Sequence, residues 1–192
     1  MVEINIRYLY SMEKPKSYCE FVQSLPEGNV NRIYHDTQYG FPITSDNELF
    51  GRLILEINQA GLSWTTILNK QQNFRAAFYN YDIKTIANFN DKDIQKLLSN
   101  AGIIRNKLKI NAVIHNAQQV LKLQQEQGSF KHWLDKNHPK TIEEWVKLFK
   151  KTFKFTGGEI TKEFLMSTGY YKGAHIPSCP IQKEISRIKG NG

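Results

Sequence analysis

Residues 45–64, SDNELFGRLILEINQAGLSW, restrict the fold more than any other stretch of the chain. Ser45 followed three residues later by Glu48 is a capping-box pattern, and Leu49, Phe50, Leu53, Ile54 and Ile57 then recur at helical spacing. A stripe this broad must be covered by other elements, so the helix belongs inside a layered domain. Glu56 falls on the flank of the stripe, roughly 20° from Leu49 at the 100° per residue of a helix, and is expected to be half-sheltered. A sheltered carboxylate needs a partner, because burying it unpaired costs several kcal/mol or forces it to take a proton. Gly61 allows the chain to turn sharply, and Trp64 follows within reach of the same helix end. Acid and indole together suit a flat polar ring, neutral or cationic. As packing alone, they are a capped surface Glu and a core Trp.

The rest of the chain reads as helices around this one. Residues 65–80 carry Ile67, Leu68, Phe74, Ala77 and Phe78 at helical spacing, and Asn90 caps 91–100. A long helix is expected from Arg105 to about Gln127, stopped by Gly128. Ser129 caps the next segment, Pro139 breaks the chain, and Thr141 with Glu144 opens a helix through a second capping box. Thr156 with Glu159 has the pattern of a third, opening a last helix that ends near Gly169. Few segments alternate, so the fold class is all-α, with about seven helices and no sheet. Residues 17–43, rich in Gly, Pro, Asn and aromatics without a sustained period, are expected to form a long ordered loop. Residues 1–17 read as an arm, 18–181 as one helical domain of two lobes sharing a core, and 182–192 as a polar, mobile tail.

Charge narrows the partners. Lys and Arg number 26 against 18 Asp and Glu, and this excess of eight positive charges favours a polyanion. It gathers in one suggestive place, LLSNAGIIRNKLKI at 97–110, a helix, a hairpin bearing Gly102, and a second helix with Arg105, Lys107 and Lys109 at its start. Amides at such a hairpin can seat a phosphate without reading a base. A plain connection between two core helices would carry the same sequence. No apolar run approaches the ~18 residues that span a membrane, and no signal-peptide core is visible, so a cytoplasmic protein without a membrane partner is expected.

Cys19 and Cys179 are the two cysteines. His175 and Cys179 form H-x-x-x-C near the C-terminus, while Cys19 and His35 lie in the N-terminal loop. Two thiolates and two imidazoles are the donor set of a closed tetrahedral zinc site, which clamps chain segments and leaves no coordinated water. Two buried free thiols are the other reading.

Taken together, YHDTQYGFP at 34–42, LF…LEINQAGLSWTTIL at 49–68, NAGIIRNKLKINAVIHNA at 100–117, FKFTGGEITKEFLMSTG at 153–169 and the H-x-x-x-C closely resemble the DNA-3-methyladenine glycosylase I family. The resemblance runs in order from about Cys19 to Cys179. It implies an all-helical helix-hairpin-helix glycosylase fold, a structural zinc held by Cys19, His35, His175 and Cys179, and hydrolysis of the N-glycosidic bond of 3-methyladenine in alkylated double-stranded DNA by a monomer. Glu56 and Tyr34 are then expected to hydrogen-bond the edge of the extruded base and Trp64 to stack on it. Tyr39 and Phe21 complete the aromatic wall, and the turn at Gly61 and Leu62 fills the gap left in the duplex. Tyr39 and Phe21 stand where better-known bacterial members carry tryptophan, and Asn58 where a Gln is familiar. Other helix-hairpin-helix glycosylases place a catalytic Asp after the hairpin, whereas here no Asp follows before Asp135. A damaged-DNA sensor without catalysis, and a zinc hydrolase, are the alternatives from other classes.

Overall fold

The structure is a computed structural model and describes residues 15–190. Among these residues the regular structure is helical throughout, with no strand. Two short helices, α1 (Tyr18–Gln23) and α2 (Val30–Thr37), precede the central helix α3 (Asp46–Gln59). Then come α4 (Trp64–Leu68), α5 (Gln71–Ala77), α6 (Ile83–Ala87) and α7 (Asp91–Ser99). The long α8 (Lys107–Gln127) leads to α9 (Phe130–Asn137), α10 (Ile142–Thr152), α11 (Gly158–Ser167) and α12 (Pro180–Gly190). The arm expected over residues 1–17 lies outside the described residues except for its last three.

Helix α3 is more central than its stripe implied. Every residue from Leu49 to Asn58 is buried, because α4, α5, α8, α9 and α11 surround it on all sides. One apolar core runs from Leu49 to Leu165 and draws on nearly all of these helices. A satellite cluster of Tyr34, Tyr39 and Leu68, with Tyr18 and Trp64 against it, sits at the C-terminal end of α3.

The capping box at Thr141 with Glu144 forms as the sequence reads, and the expected cap at Asn90 is completed into a box by Asp93. The other two differ. Ser45 takes the Glu48 amide at 3.5 Å, but the Glu48 carboxylate forks onto Arg75 at 2.8 and 2.6 Å instead of returning to the cap. Thr156 turns inward and donates to the carbonyls of Phe149 and Phe153, so the N-cap of α11 falls to Gly157 and no side chain caps the helix. The loop expected over 17–43 contains α1 and α2, each opened by a side-chain cap, Ser17 and Asn29. The tail expected to be mobile is α12, with Ile185 buried and the Lys189 ammonium on the Gly169 carbonyl at 2.6 Å.

Gly51 shows how tightly α3 is enclosed. A Cβ there would collide with the ring of Tyr81, itself held under the Arg75 guanidinium. Gly51→Ala is therefore expected to destabilise the protein by about 1–3 kcal/mol through overpacking. Urea unfolding of the variant would measure this, and an unchanged midpoint would show that the Tyr81 ring can move aside.

Candidate active site and metal cluster

Helix α3 ends in a bend rather than fraying. Ala60 leaves the helix, Gly61 adopts a left-handed backbone with φ of 80°, and the Leu62 amide returns to the Gln59 carbonyl at 2.7 Å. Ser63 then caps α4, which carries Trp64 at its first position. These turns bring Trp64 back over the last turn of α3, its ring 5.1 Å from that of Tyr34 on α2 and edge-on to it. Tyr39 lies 5.7 Å from Tyr34, and Tyr18 packs edge-on against both.

These rings enclose a cavity of about 260 Å³ lined by Tyr18, Tyr34, Tyr39, Glu56, Gln59, Trp64 and Glu163. Glu56 is 3% exposed, not half-sheltered, since α11 covers the flank that the stripe left open. Burial raises its pKa to about 8; Arg52 opposes that rise, Glu163 adds to it, and Ser167 opposes it through a hydrogen bond. Arg52 is itself buried and donates to the Tyr34 hydroxyl at 2.7 Å, with its guanidinium over that ring. Burial holds the hydroxyl protons of Tyr18, Tyr34 and Tyr39 far above the ordinary tyrosine range. The chamber is thus aromatic, with a neutral-leaning acid at its base. Such walls attract a flat cation, and a cation alongside would in turn favour ionised Glu56.

The structure gathers Tyr34, Tyr39, Glu56 and Trp64 in this one cavity and leaves Phe21 out. Phe21 stacks on the outside of Tyr18 at 6.1 Å, and Tyr18 takes the wall position. Asn58, adjacent to Glu56's turn, points away and bonds the Ile54 carbonyl, while its neighbour Gln59 faces the cavity. The sequence reading missed Tyr18, Gln59 and Glu163. For Glu163 a signal existed, since Ile160, Glu163, Phe164 and Ser167 share one face of α11 at i, i+3, i+4 and i+7. Asp135 lies elsewhere, bonded by Lys131 and Tyr170.

Outside the cavity, Gln59–Ser63 and Gly157–Ile160 with Glu163 border an open groove of about 820 Å³, and Leu62 stands 40% exposed on its edge. The hairpin between α7 and α8 keeps Arg105 and Lys107 exposed. Lys109 departs from the expected cluster. It is 5% exposed, and its ammonium donates to the carbonyls of Asn58 at 2.9 Å and Ala60 at 2.7 Å. The last carbonyls of α3 lack helical partners, and a cation there satisfies them and the helix dipole together. At the hairpin itself the Gly102 amide bonds the Asn100 side chain, and Lys70, unforeseen, donates to the carbonyls of Ala101 and Gly102.

Behind the aromatic wall, Cys19, His35, His175 and Cys179 converge, with all four donor atoms within 4.8 Å of one another and all four residues buried. Both rings are oriented from outside the cluster. His35 meets Asp36 through Nδ1 at 2.7 Å, and His175 meets the Tyr39 carbonyl through Nε2 at 2.7 Å. Gly40 follows directly, in a left-handed conformation, and a side chain there would strike Ala174 and crowd the His175 ring. The cluster can hold a metal ion, and it joins α1 and α2 to the segment leading into α12.

A model of the methyladenine glycosylase family matches residues 26–152. DNA-3-methyladenine glycosylase 1 of Escherichia coli (strain K12) is 33% identical over 165 residues, spanning 76% of this chain and 88% of that protein. The DNA-3-methyladenine glycosylase of Haemophilus influenzae is 31% identical over 175 residues, 81% of this chain and 94% of its own. Among solved structures, 3-methyladenine DNA glycosylase I from Staphylococcus aureus superposes with a TM-score of 0.76 at 31% identity, over 85% of this chain and 95% of that one. A tyrosine-to-phenylalanine variant of a 3-methyladenine DNA glycosylase I, in complex with 3-methyladenine, also gives 0.76, at 31% identity over 85% and 96%. The family match, carried by relatives above 30% identity over most of their length, makes this chain a member of the methyladenine glycosylase family.

Proposed function

We propose that the protein is a monofunctional DNA glycosylase that hydrolyses the N-glycosidic bond of 3-methyladenine in alkylated double-stranded DNA. The observation that carries this reading is the aromatic cavity floored by Glu56 and opening beside the groove at Gly61 and Leu62. An alkylated purine in DNA bears a positive charge, so it is a good leaving group and a good ligand for aromatic faces and a carboxylate. The extruded base stacks on Trp64, with Tyr39 and Tyr18 around it, while Glu56 and Tyr34 take its edge. Leu62, on its Gly61 turn, enters the duplex where the base has left, and Arg105 and Lys107 with the Gly102 hairpin grip the phosphates. Among the described residues no lysine lines the cavity, in keeping with hydrolysis rather than lyase chemistry.

The ion of the clamp is assigned as zinc with a structural role. Zn–N and Zn–S bonds of ordinary length give tetrahedron edges of about 3.3–3.8 Å. The four nitrogen-to-sulfur separations, 3.3–3.7 Å, match these edges, while the two nitrogens lie closer, at 3.1 Å. Four protein donors leave no place for a reactive water, which sets this site apart from that of a zinc hydrolase.

The test is release of free 3-methyladenine from methylated duplex DNA under multiple turnover. Trp64→Ala is expected to reduce it by about 10-fold or more, since stacking is worth about 1–3 kcal/mol per base. A chain that binds methylated duplex but releases no base would be a sensor and would end this reading.

A further inference from the structure

Of the residues around the cavity, Gln59 and Glu163 also border the open groove. When an extruded nucleotide places its ring in the cavity, its sugar stays at the threshold between cavity and groove. The bond to be broken, C1′–N9, therefore lies beside these two side chains. Gln59 is a neutral amide and accepts no proton, whereas Glu163 is a carboxylate. It is half-buried on the second turn of α11, and the Tyr39 hydroxyl donates to its Oε2 at 3.2 Å, which fixes its direction.

We propose that Glu163 is the general base of the hydrolysis, accepting a proton from the water that attacks C1′ at the mouth of the cavity. The inference rests on the glycosylase reading. As the water oxygen bonds to C1′, the C1′–N9 bond breaks and its electron pair enters the purine, cancelling the positive charge. The departing base is neutral 3-methyladenine, the sugar becomes a hemiacetal, and the water proton resides on Glu163. The division of work between two acids follows from their neighbours. Glu56 is enclosed at the cavity floor beside Arg52, with the ring of the base as its counterpart. Glu163 faces Tyr39 and Glu56 across the cavity and has Lys162 and Glu159 on its own helix. Burial raises its pKa, and the Tyr39 hydrogen bond and Lys162 restrain that rise while Glu159 adds to it, so it has more basicity than a surface carboxylate.

The experiment compares the parental chain, Glu163→Gln and Glu163→Asp in single-turnover excision from methylated duplex DNA across pH, alongside affinity for free 3-methyladenine. Glutamine can still accept from the Tyr39 hydroxyl, so the wall should persist, and thermal melting checks this. Glu163→Gln is expected to lose about 100-fold in rate and the ascending acid limb of the pH profile. Glu163→Asp should retain part of the rate and that limb, and both should bind the free base within about threefold of the parental value. Excision by Glu163→Gln within threefold of the parental rate would overturn the proposal. So would a rate loss matched by an equal loss of affinity for the base, which belongs to a wall residue. If the parental chain releases no base at all, the glycosylase reading falls first and the inference with it.

Discussion

Glu56→Gln is expected to lower 3-methyladenine excision by about 100- to 1,000-fold while making the protein more stable above pH 7. The activity loss is the scale seen when one preorganised electrostatic partner is removed from a desolvated site. The gain in stability follows from the raised pKa. With a folded value of about 8 against an ordinary 4.5, folded Glu56 binds its proton more tightly than unfolded Glu56 does. Its contribution is fully present below pH 4.5 and is lost as pH climbs through 8, because the folded state must then hold a buried charge. That loss is worth about 3–5 kcal/mol at most. Glutamine has no proton to lose, so the variant's stability should stay flatter between pH 5 and 8.5. Denaturant midpoints at both pH values would measure it. Parallel pH dependence in parent and variant would mean that Glu56 is ionised at neutral pH in the folded protein.

Removing the metal should have the second-largest effect. The cluster joins residues 19 and 35 to residues 175 and 179, so it closes a loop of some 150 residues. It is also linked, by His175 on the Tyr39 carbonyl, to Tyr39, a wall of the aromatic cavity. Because the apolar core does not run through this cluster, the chain should remain folded without the ion. Chelation, or His175→Ala, is expected to lower the melting temperature by about 10 °C, equivalent to about 3–5 kcal/mol for a domain of this size. Affinity for free 3-methyladenine should fall with it. A melting curve unmoved after metal analysis shows full removal would separate the cluster from both stability and the pocket.

What was legible in the sequence was what depends on local pattern. The caps at Asn90, Ser129 and Thr141, the apolar face of α3 and the long α8 all follow from spacing and side-chain chemistry within a few residues. That the acid and the indole meet at one end of α3 was also legible, because the turn between them is short. The misreadings share a cause: a tertiary partner outside the local window decided the side chain's direction. Thr156 has the letters of a cap, yet carbonyls of α10 take its hydroxyl. Lys109 sits in a basic run, yet the exposed end of α3 draws it inward. Helices α1 and α2 were hidden because they are short and their buried faces, Cys19 with Val22 and Asn31 with Tyr34 and His35, are mostly polar or cluster-forming side chains instead of an apolar stripe. Phe21 and Tyr18 exchanged places for the same reason: three residues apart, both can face inward, and only the packing of Tyr34 and Tyr39 selects between them.

The inward turn of Lys109 has a mechanical consequence. Its backbone belongs to the first turn of α8, directly behind the hairpin, and its ammonium grips the two carbonyls at the far end of α3. The hairpin is thereby tied, through one buried ammonium, to the end of α3 that borders the aromatic cavity. Under the proposed function this makes a fixed gauge: a phosphate seated at the hairpin would set which nucleotide along the strand is offered to the cavity.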